Sequence, residues 1–503
     1  MKKTYTHDEI DGGYFTVFSC LIFLVMATLI FTCLGGVLLY QGKSKASYVQ
    51  VGALEHLAAN YDKELLERYH LFFLDPRMDA HMEEKTKAYY ETCFSRAAGK
   101  MVGTPLHFLR LEDLQIDTFG TMQEQNYRYF TTQIKEYLKY EVTADALLQM
   151  LQGNATDTKT QLDKVDDLKE TLDEKDAAVQ ELPEENTESV PETSYSVEQA
   201  EAVTNAQKSN PVKTLASIMK GGLLSYVAEG KEISKNKISS SGLPSGTPKG
   251  EKMNLAGMSF SKLSDFRTLM ESQEVGKETS TWGEKGMLAI YMEKCFPCYG
   301  EKENLADTVL NYEMEYILGG NTTDEENLEY VMQRLILLRF CFNAIYVYQD
   351  VELNEEALVL ATAMTGFTGS GAIVEATKYT ILSAVSMLEA IEDVKRLLAG
   401  EKIGILKNKG NFRWSVKGMR GNGKEKEGLT YETYLMILFL LSGKQEQNIL
   451  RMQDIMQVNI QKKEPGFMVH NLRAGVALQT TVAQKVSFLP GTYEFQSKKT
   501  YQY

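Results

Sequence analysis

The sequence predicts an α+β protein that is predominantly α, with three parts. These are a long N-terminal transmembrane and stalk helix, a large helical body, and a small antiparallel sheet formed by an early strand and the C-terminal strands. Three observations predict this. Tyr14–Tyr40 is a run of 27 residues without a charge in a chain of 503. From Gly283 to Lys462 one helix signal follows another. From Val469 onward the apolar pattern changes from helical to strand-like period.

The run comes first. About 20 apolar residues in a helix cross a bilayer core, so this one is long enough with some tilt. A secretory signal core is about 7–15 apolar residues ending at a small-residue cut site. This run is longer and leads into LLYQGKSKAS, a poor cut site. Lys2 and Lys3 lie on one side, Lys43 and Lys45 on the other, so the positive-inside rule is tied. The free amino terminus tips the balance toward a cytoplasmic head over residues 1–13 and an extracellular body. The expected location is therefore the cell membrane, single-pass, with the lipid bilayer as the first partner.

A stalk extension over residues 41–76 follows. Val51, Leu54, Ala58, Tyr61 and Leu65 are spaced 3, 4, 3, 4, an a/d seam. One continuous helix from Tyr14 to Tyr69 is expected, closed by LFFLDP with Pro76 as breaker. The seam packs either on the protein's own body or on a sister helix, which would be self-association. Residues 77–151 read as helix (80–98), strand (106–119) and helix (123–151). Residues 152–210 form an acidic insertion. Its start carries a partial heptad, Val165, Leu172 and Val179, that suggests a short coiled coil. Its end is proline-punctuated and poor in large apolar groups, the composition of a disordered linker.

Residues 211–282 hold a helix and a loop. Asn210-Pro211 supplies an N-cap followed by proline at the first helical position. In 283–462, Thr323 and Glu326 form a capping box, and Gly366 and Gly400 stand where helices end. LMILFLL (Leu435–Leu441) is too short to span a membrane and reads as core. Residues 463–503 read as two or three strands that pair with the 106–119 strand.

Composition narrows the function. The net charge is −14, and between Leu151 and Asn210 there are 15 Asp/Glu against 5 Lys/Arg. No basic stripe occurs elsewhere, so nucleic acid is not an expected partner. Six cysteines, two of them in the apolar run, are too few for a disulfide framework. Five of six histidines precede position 108 and none falls in 283–462, which removes a histidine triad or multi-histidine metal site there.

Four motifs imitate chemistry. CFPC (Cys295–Cys298) has redox spacing but follows the end of a helix rather than opening one, leaving a local disulfide or two inert thiols. GMRGNGKE (Gly418–Glu425) has the glycines and lysine of a phosphate loop. It places Glu425 where a hydroxyl should hold magnesium, and reads as a flexible loop. GFTGSG (Gly366–Gly371) reads as an interhelix turn. The acid pairs Glu313/Glu315 and Glu392/Asp393 do not share a helix face, and read as solvated or hydrogen-bonded. No catalytic residue, metal site or cofactor is expected.

The motifs GYFTVFSCLIFLV, ELLERYHLFFLD, NPVKTLASIMKGGLLSYV, LNYEMEYILGGNTTDEENL, GLTYETYL, RMQDIMQVNI and FLPGTYEF together resemble a domain-of-unknown-function family from Gram-positive anaerobes. The resemblance spans nearly all of the chain except the acidic insertion. The layout is similar to TadE/TadG pseudopilin-like proteins of tight-adherence pilus systems. That resemblance implies an anchored, outward-facing envelope protein that works with pilus or secretion proteins. It also implies prepilin-type cleavage after Gly12 or Gly13. The pilin pattern calls for glutamate five residues after the cut, where this chain has Val17 or Phe18. The expected function is therefore a non-enzymatic, pseudopilin-like accessory component. The alternatives are a tethered module that binds peptide or glycan, and a cell-surface hydrolase.

Overall fold

The computed structural model describes residues 7–76, 81–95, 100–101, 104–105, 107–141, 160–161, 163–178, 210–239, 241–248, 250–258, 260–271, 282–300, 307–420 and 428–503. They form two compact units, the first from residues 1–133 with 470–503 and the second from 134–469. The second is thus inserted in sequence between two parts of the first.

The first unit is built on α1, His7–Ala58, a helix of 52 residues. Helix α1 begins within the segment expected to be a separate head. Its apolar half is long and apolar enough to cross a membrane, and its side chains are bare: Tyr14 is 74% and Phe23 73% exposed. Its second half packs on a three-stranded antiparallel sheet. The strands are β1 (His107–Phe119), β2 (Gly475–Val486) and β3 (Tyr493–Gln502), in the order β1-β2-β3. The early strand and the C-terminal strands therefore do pair as the sequence predicts.

The expected single helix to Tyr69 is corrected: α1 ends at Ala58, and α2 (Lys63–Tyr69) starts afresh. The interruption comes from capping residues inside the seam. The Asn60 amide donates to His56 O at 3.2 Å, and Asp62 accepts from Leu65 N at 2.8 Å as the N-cap of α2. Residue His70 then closes α2 in a left-handed conformation, φ 56°.

Helix α3 (Met82–Ser95) packs on the same sheet. Ala46, Val49, Ala53, Leu54 and Leu57 of α1 meet Tyr90 and Phe94 of α3 and Leu114, Val476, Leu478 and Val482 of the sheet in one core. The imperfect alternation of the early strand has a cause. Leu111 faces Val482 while Asp113 faces Thr481, so Glu112 is the extra residue of a β-bulge. The bulge shifts the pattern by one, which lets Leu109 and Leu111 share the inward face with Leu114 and Ile116.

Helix α4 (Glu124–Glu141) contains the boundary between the units. The second unit is helical. Its order is α5 (Pro211–Gly221), α6 (Leu223–Val227), α7 (Leu263–Glu271), α8 (Trp282–Cys295), α9 (Glu313–Gly319), α10 (Asp324–Gln349), α11 (Val351–Thr365), α12 (Gly371–Leu398), α13 (Tyr431–Leu441) and α14 (Gln445–Gln461). Helix α10 is buried around its whole circumference through Leu335–Ala344, as a central helix must be when apolar on every face. Helix α12 packs along it, and the Leu435–Leu441 run of α13 is buried core.

The predicted caps form: Val212 N donates to Asn210 Oδ1 at 3.0 Å, and Glu326 N to Thr323 Oγ1 at 3.2 Å. Residues 163–178 are helical, with Val165 and Leu172 buried by the chain itself. The heptad is thereby spent within the folded unit and does not support a coiled coil; Val179 and the linker to residue 209 lie outside the described residues.

Candidate functional site

Helix α1 has one covered and one open side, and its sequence sets which is which. The sheet approaches closest where α1 has glycine. A Cβ on Gly42 would fall inside the amide group of Gln484, and one on Gly35 would stand 2.8 Å from Leu489 Cδ1. Two buried glutamines fasten the joint. Gln484 Nε2 donates to Leu38 O at 2.8 Å, and Gln50 Nε2 donates to Leu478 O at 2.9 Å and Ser497 O at 3.0 Å. Near the end of α1, Tyr503 OH donates to Ala58 O at 2.5 Å. Side-chain donors thus reach helix carbonyls and sheet carbonyls across an otherwise apolar interface.

The predicted seam lies on this joint and does not form an open stripe. Leu54 and Ala58 are buried in the core, and Leu65 is buried on α2. Val51 and Tyr61 are half-buried; Tyr61 pairs with Leu74 and sets its ring 5.3 Å from Phe72. The open side of α1 carries Tyr40, Ser44 and Tyr48 at helical spacing, with Tyr40 75% and Tyr48 80% exposed. Apolar spacing does not mark this stripe, because two tyrosines among polar residues carry no apolar periodicity. Gly12 and Gly13 both lie within α1.

The second unit draws its ionisable groups inward. Arg339, fully buried, donates to Asp393 Oδ2 through Nε at 3.0 Å and Nη2 at 2.9 Å, and to Gly404 O, Ile405 O, Tyr434 OH and Asn343 Oδ1. Lys407 Nζ reaches Glu389 at 2.8 Å and Asp393 at 2.6 Å. Glu389 also accepts from Arg413 N and Trp414 N, each at 3.0 Å. Burial pulls the Asp393 carboxyl up, but Lys407 and Arg339 outweigh it and hold it below its ordinary value. Two cations and two carboxylates therefore pin the 403–414 loop onto α10 and α12. Only Asp393 of this group stood out in the sequence; Arg339, Glu389 and Lys407 are scattered over three segments and carry no motif.

Glu313 and Glu315 are also buried, and Asn459 Nδ2 donates to Glu313 Oε1 at 2.7 Å. Glu315 accepts from Tyr299 N at 2.9 Å and Tyr431 OH at 2.8 Å, while its second oxygen has no hydrogen-bond partner among the described residues. Burial is the main cause that raises its carboxyl to about 7. Glu392 lies 3.8 Å from Arg413. Cys295 and Cys298 are free thiols, and burial pushes Cys295 up to about 12, opposite to a reactive cysteine. GFTGSG is the turn between α11 and α12; residues 421–425 of the phosphate-loop mimic lie outside the described residues.

Two indentations mark the surface of the described residues. A cleft of about 550 Å³ in the first unit lies between α3 and β1, with Lys87, Arg110, Glu91, Glu112 and Asp113 on its walls. An indentation in the second unit, beside Glu251, Tyr330 and Lys444, holds about 60 Å³. Ligand pockets commonly hold about 300–1,000 Å³, a size the first reaches and the second does not. Among the described residues no group of three His, Cys, Asp or Glu stands ready for a metal ion.

Fold and site together define an α+β protein with a long apolar N-terminal helix carried into a sheet, and a helical unit inserted in sequence. The chain belongs to the family of unknown function DUF5702, which matches residues 201–484. No curated protein and no solved structure matches it.

Proposed function

We propose that the protein is a non-enzymatic, membrane-anchored envelope protein, a pseudopilin-like accessory component of a tight-adherence-type pilus or secretion system. In this reading Tyr14–Leu34 spans the cell membrane once, the amino terminus is cytoplasmic and both folded units are extracellular. The observation that carries it is the division of α1 into a bare apolar half and a half that packs on an antiparallel sheet. A pilin-like subunit needs that division, because the bare half is the part that lipid or neighbouring helices cover. Buried, hydrogen-bonded acids and a high-lying Cys295 thiol support the non-enzymatic part.

The open Tyr40–Tyr48 stripe is the contact offered to neighbours, whether copies of the chain or pilus-system proteins. A photo-crosslinking residue placed at Tyr48 in membranes of the native host tests this. Crosslinks to a second copy or a pilus-system protein are expected there and not at Ala53, which is 2% exposed. A chain that stays monomeric and uncrosslinked at both Tyr40 and Tyr48 refutes the assembly role. A second reading, a tethered binding module, is favoured by one observation. Val351, Leu358, Val359 and Phe367 of the α11 region are exposed apolar residues, Val351 and Val359 at 71%.

A further inference from the structure

The turn between β2 and β3 stands beside the apolar half of α1. Val486 at the end of β2 faces His107, Lys485 faces Phe108 and Gln484 faces Tyr493, so three strand ends meet there. The Phe488 ring lies 5.7 Å from that of Phe31, and Leu489 packs where Gly35 leaves room. Phe31 and Gly35 are not at the margin of the uncharged run. Phe31 precedes Tyr40 by nine residues, about 13 Å of helix rise. Tyr14–Leu34, at 21 residues, is already about 31 Å long and matches a hydrocarbon core of about 30 Å. A span over Tyr14–Leu34 therefore brings the turn level with the outer end of the hydrocarbon, whereas one ending at Tyr40 would set Phe31 about 13 Å inside that end.

The turn has the chemistry for that level. From Val486 to Tyr493 the sequence VSFLPGTY has no charge, and Lys485 beside it is exposed. Phe488, Leu489 and Tyr493 are half-buried, Pro490 is exposed, and the neighbouring Phe108 is 50% exposed. Aromatic rings with a flanking lysine are the composition of a membrane–water interface. A turn at headgroup depth also leaves its free backbone groups within reach of water, which the hydrocarbon core would deny them.

We infer that the β2–β3 turn, Val486–Tyr493, is a second membrane-contacting element seated on lipid beside the span. The inference rests on reading Tyr14–Leu34 as that span. The test uses the full chain in phosphatidylcholine–phosphatidylglycerol vesicles containing a phospholipid with a diazirine near the glycerol end of its acyl chain. After irradiation, tryptic peptides are mapped by mass spectrometry; cleavage after Lys485 and Lys498 isolates the turn.

Lipid adducts are expected on both the 486–498 peptide and the peptide holding Phe23–Phe31. Leu489→Asp with Pro490→Asp is expected to abolish the turn adducts and leave the span adducts unchanged. Adducts on the span alone in the unaltered protein overturn the inference and leave the anchor standing. Adducts on neither overturn the anchor as well. Turn adducts undiminished in the double aspartate variant also overturn the inference.

Discussion

Replacing Gly42 with alanine should loosen α1 from its sheet, and the joint itself sets the size of the effect. The new Cβ would occupy the space of the Gln484 amide. A side-chain end can ordinarily swing aside, but Gln484 is fully buried and its Nε2 is held by Leu38 O at 2.8 Å. Moving it breaks that bond and leaves a buried carbonyl and a buried amide unpaired, about 1–3 kcal/mol. Overpacking the remaining volume adds about 1–3 kcal/mol. The total is about 2–6 kcal/mol.

Gln484→Ala alone removes the bond but opens the space, and should cost about 1–3 kcal/mol. In the double variant the new methyl fits where the amide was, so the two costs should not add. A favourable coupling of at least about 1 kcal/mol is expected, because the residues touch. Protease resistance of the α1–sheet core, followed against denaturant in detergent micelles, measures all four corners of the cycle. Additive costs, or a Gly42→Ala variant as resistant as the unaltered protein, would refute the close-approach reasoning.

Further outcomes follow from the other features. Lys407→Met takes the ammonium away from buried Glu389 and leaves Asp393 its ion pair with Arg339, and should destabilise the second unit by about 3–5 kcal/mol in calorimetry. Glu315 has its pKa raised from 4.5 to about 7, so the native state holds that proton longer than the unfolded chain does. Its contribution is present below pH 4.5 and lost as pH rises to about 7, a gap of about 3 kcal/mol. Glu315→Gln should flatten that part of the stability–pH profile, and an unchanged slope would contradict the assignment.

At pH 8 a Cys295 thiol at about 12 rather than 9.0 exposes roughly a thousandfold less thiolate. Iodoacetamide labelling mapped by mass spectrometry should therefore mark Cys295 only after unfolding. Tyr48→Ser should leave the protease resistance of the first unit unchanged, since the side chain is 80% exposed. It should weaken any self-association measured by crosslinking.

Much of the fold was legible because local rules decide it. The charge-free run, the Asn210 and Thr323 caps and the strand character of the early and C-terminal segments all follow from residue type and period. The seam departs from its spacing at Asn60 and Asp62. Spacing alone continued the helix, while capping chemistry stopped it. The same spacing could not say which surface the seam met, and it met the protein's own sheet. Leu111 and Leu114 carried the bulge in plain view as a one-residue slip in alternation. The Arg339–Asp393–Lys407–Glu389 cluster was illegible for another reason. Its members come together only through the packing of α10, α12 and a loop, and nothing local marks a charge destined for burial.

The insertion of one folded unit within the sequence of another has a consequence for biosynthesis. Strand β1 ends at Phe119 and its partner β2 begins at Gly475, a separation of 356 residues. At about 5–20 residues per second, translation takes about 20–70 s to cross that gap. During that interval α1 has already left the ribosome, while the strands that cover Gly42 and Ala46 have not been made. The helical unit is complete before the sheet can close. Until then β1 offers an open edge and α1 an uncovered apolar flank, both prone to wrong partners. A chain released before residue 470 would keep that state permanently, so quality control has a defined species to recognise.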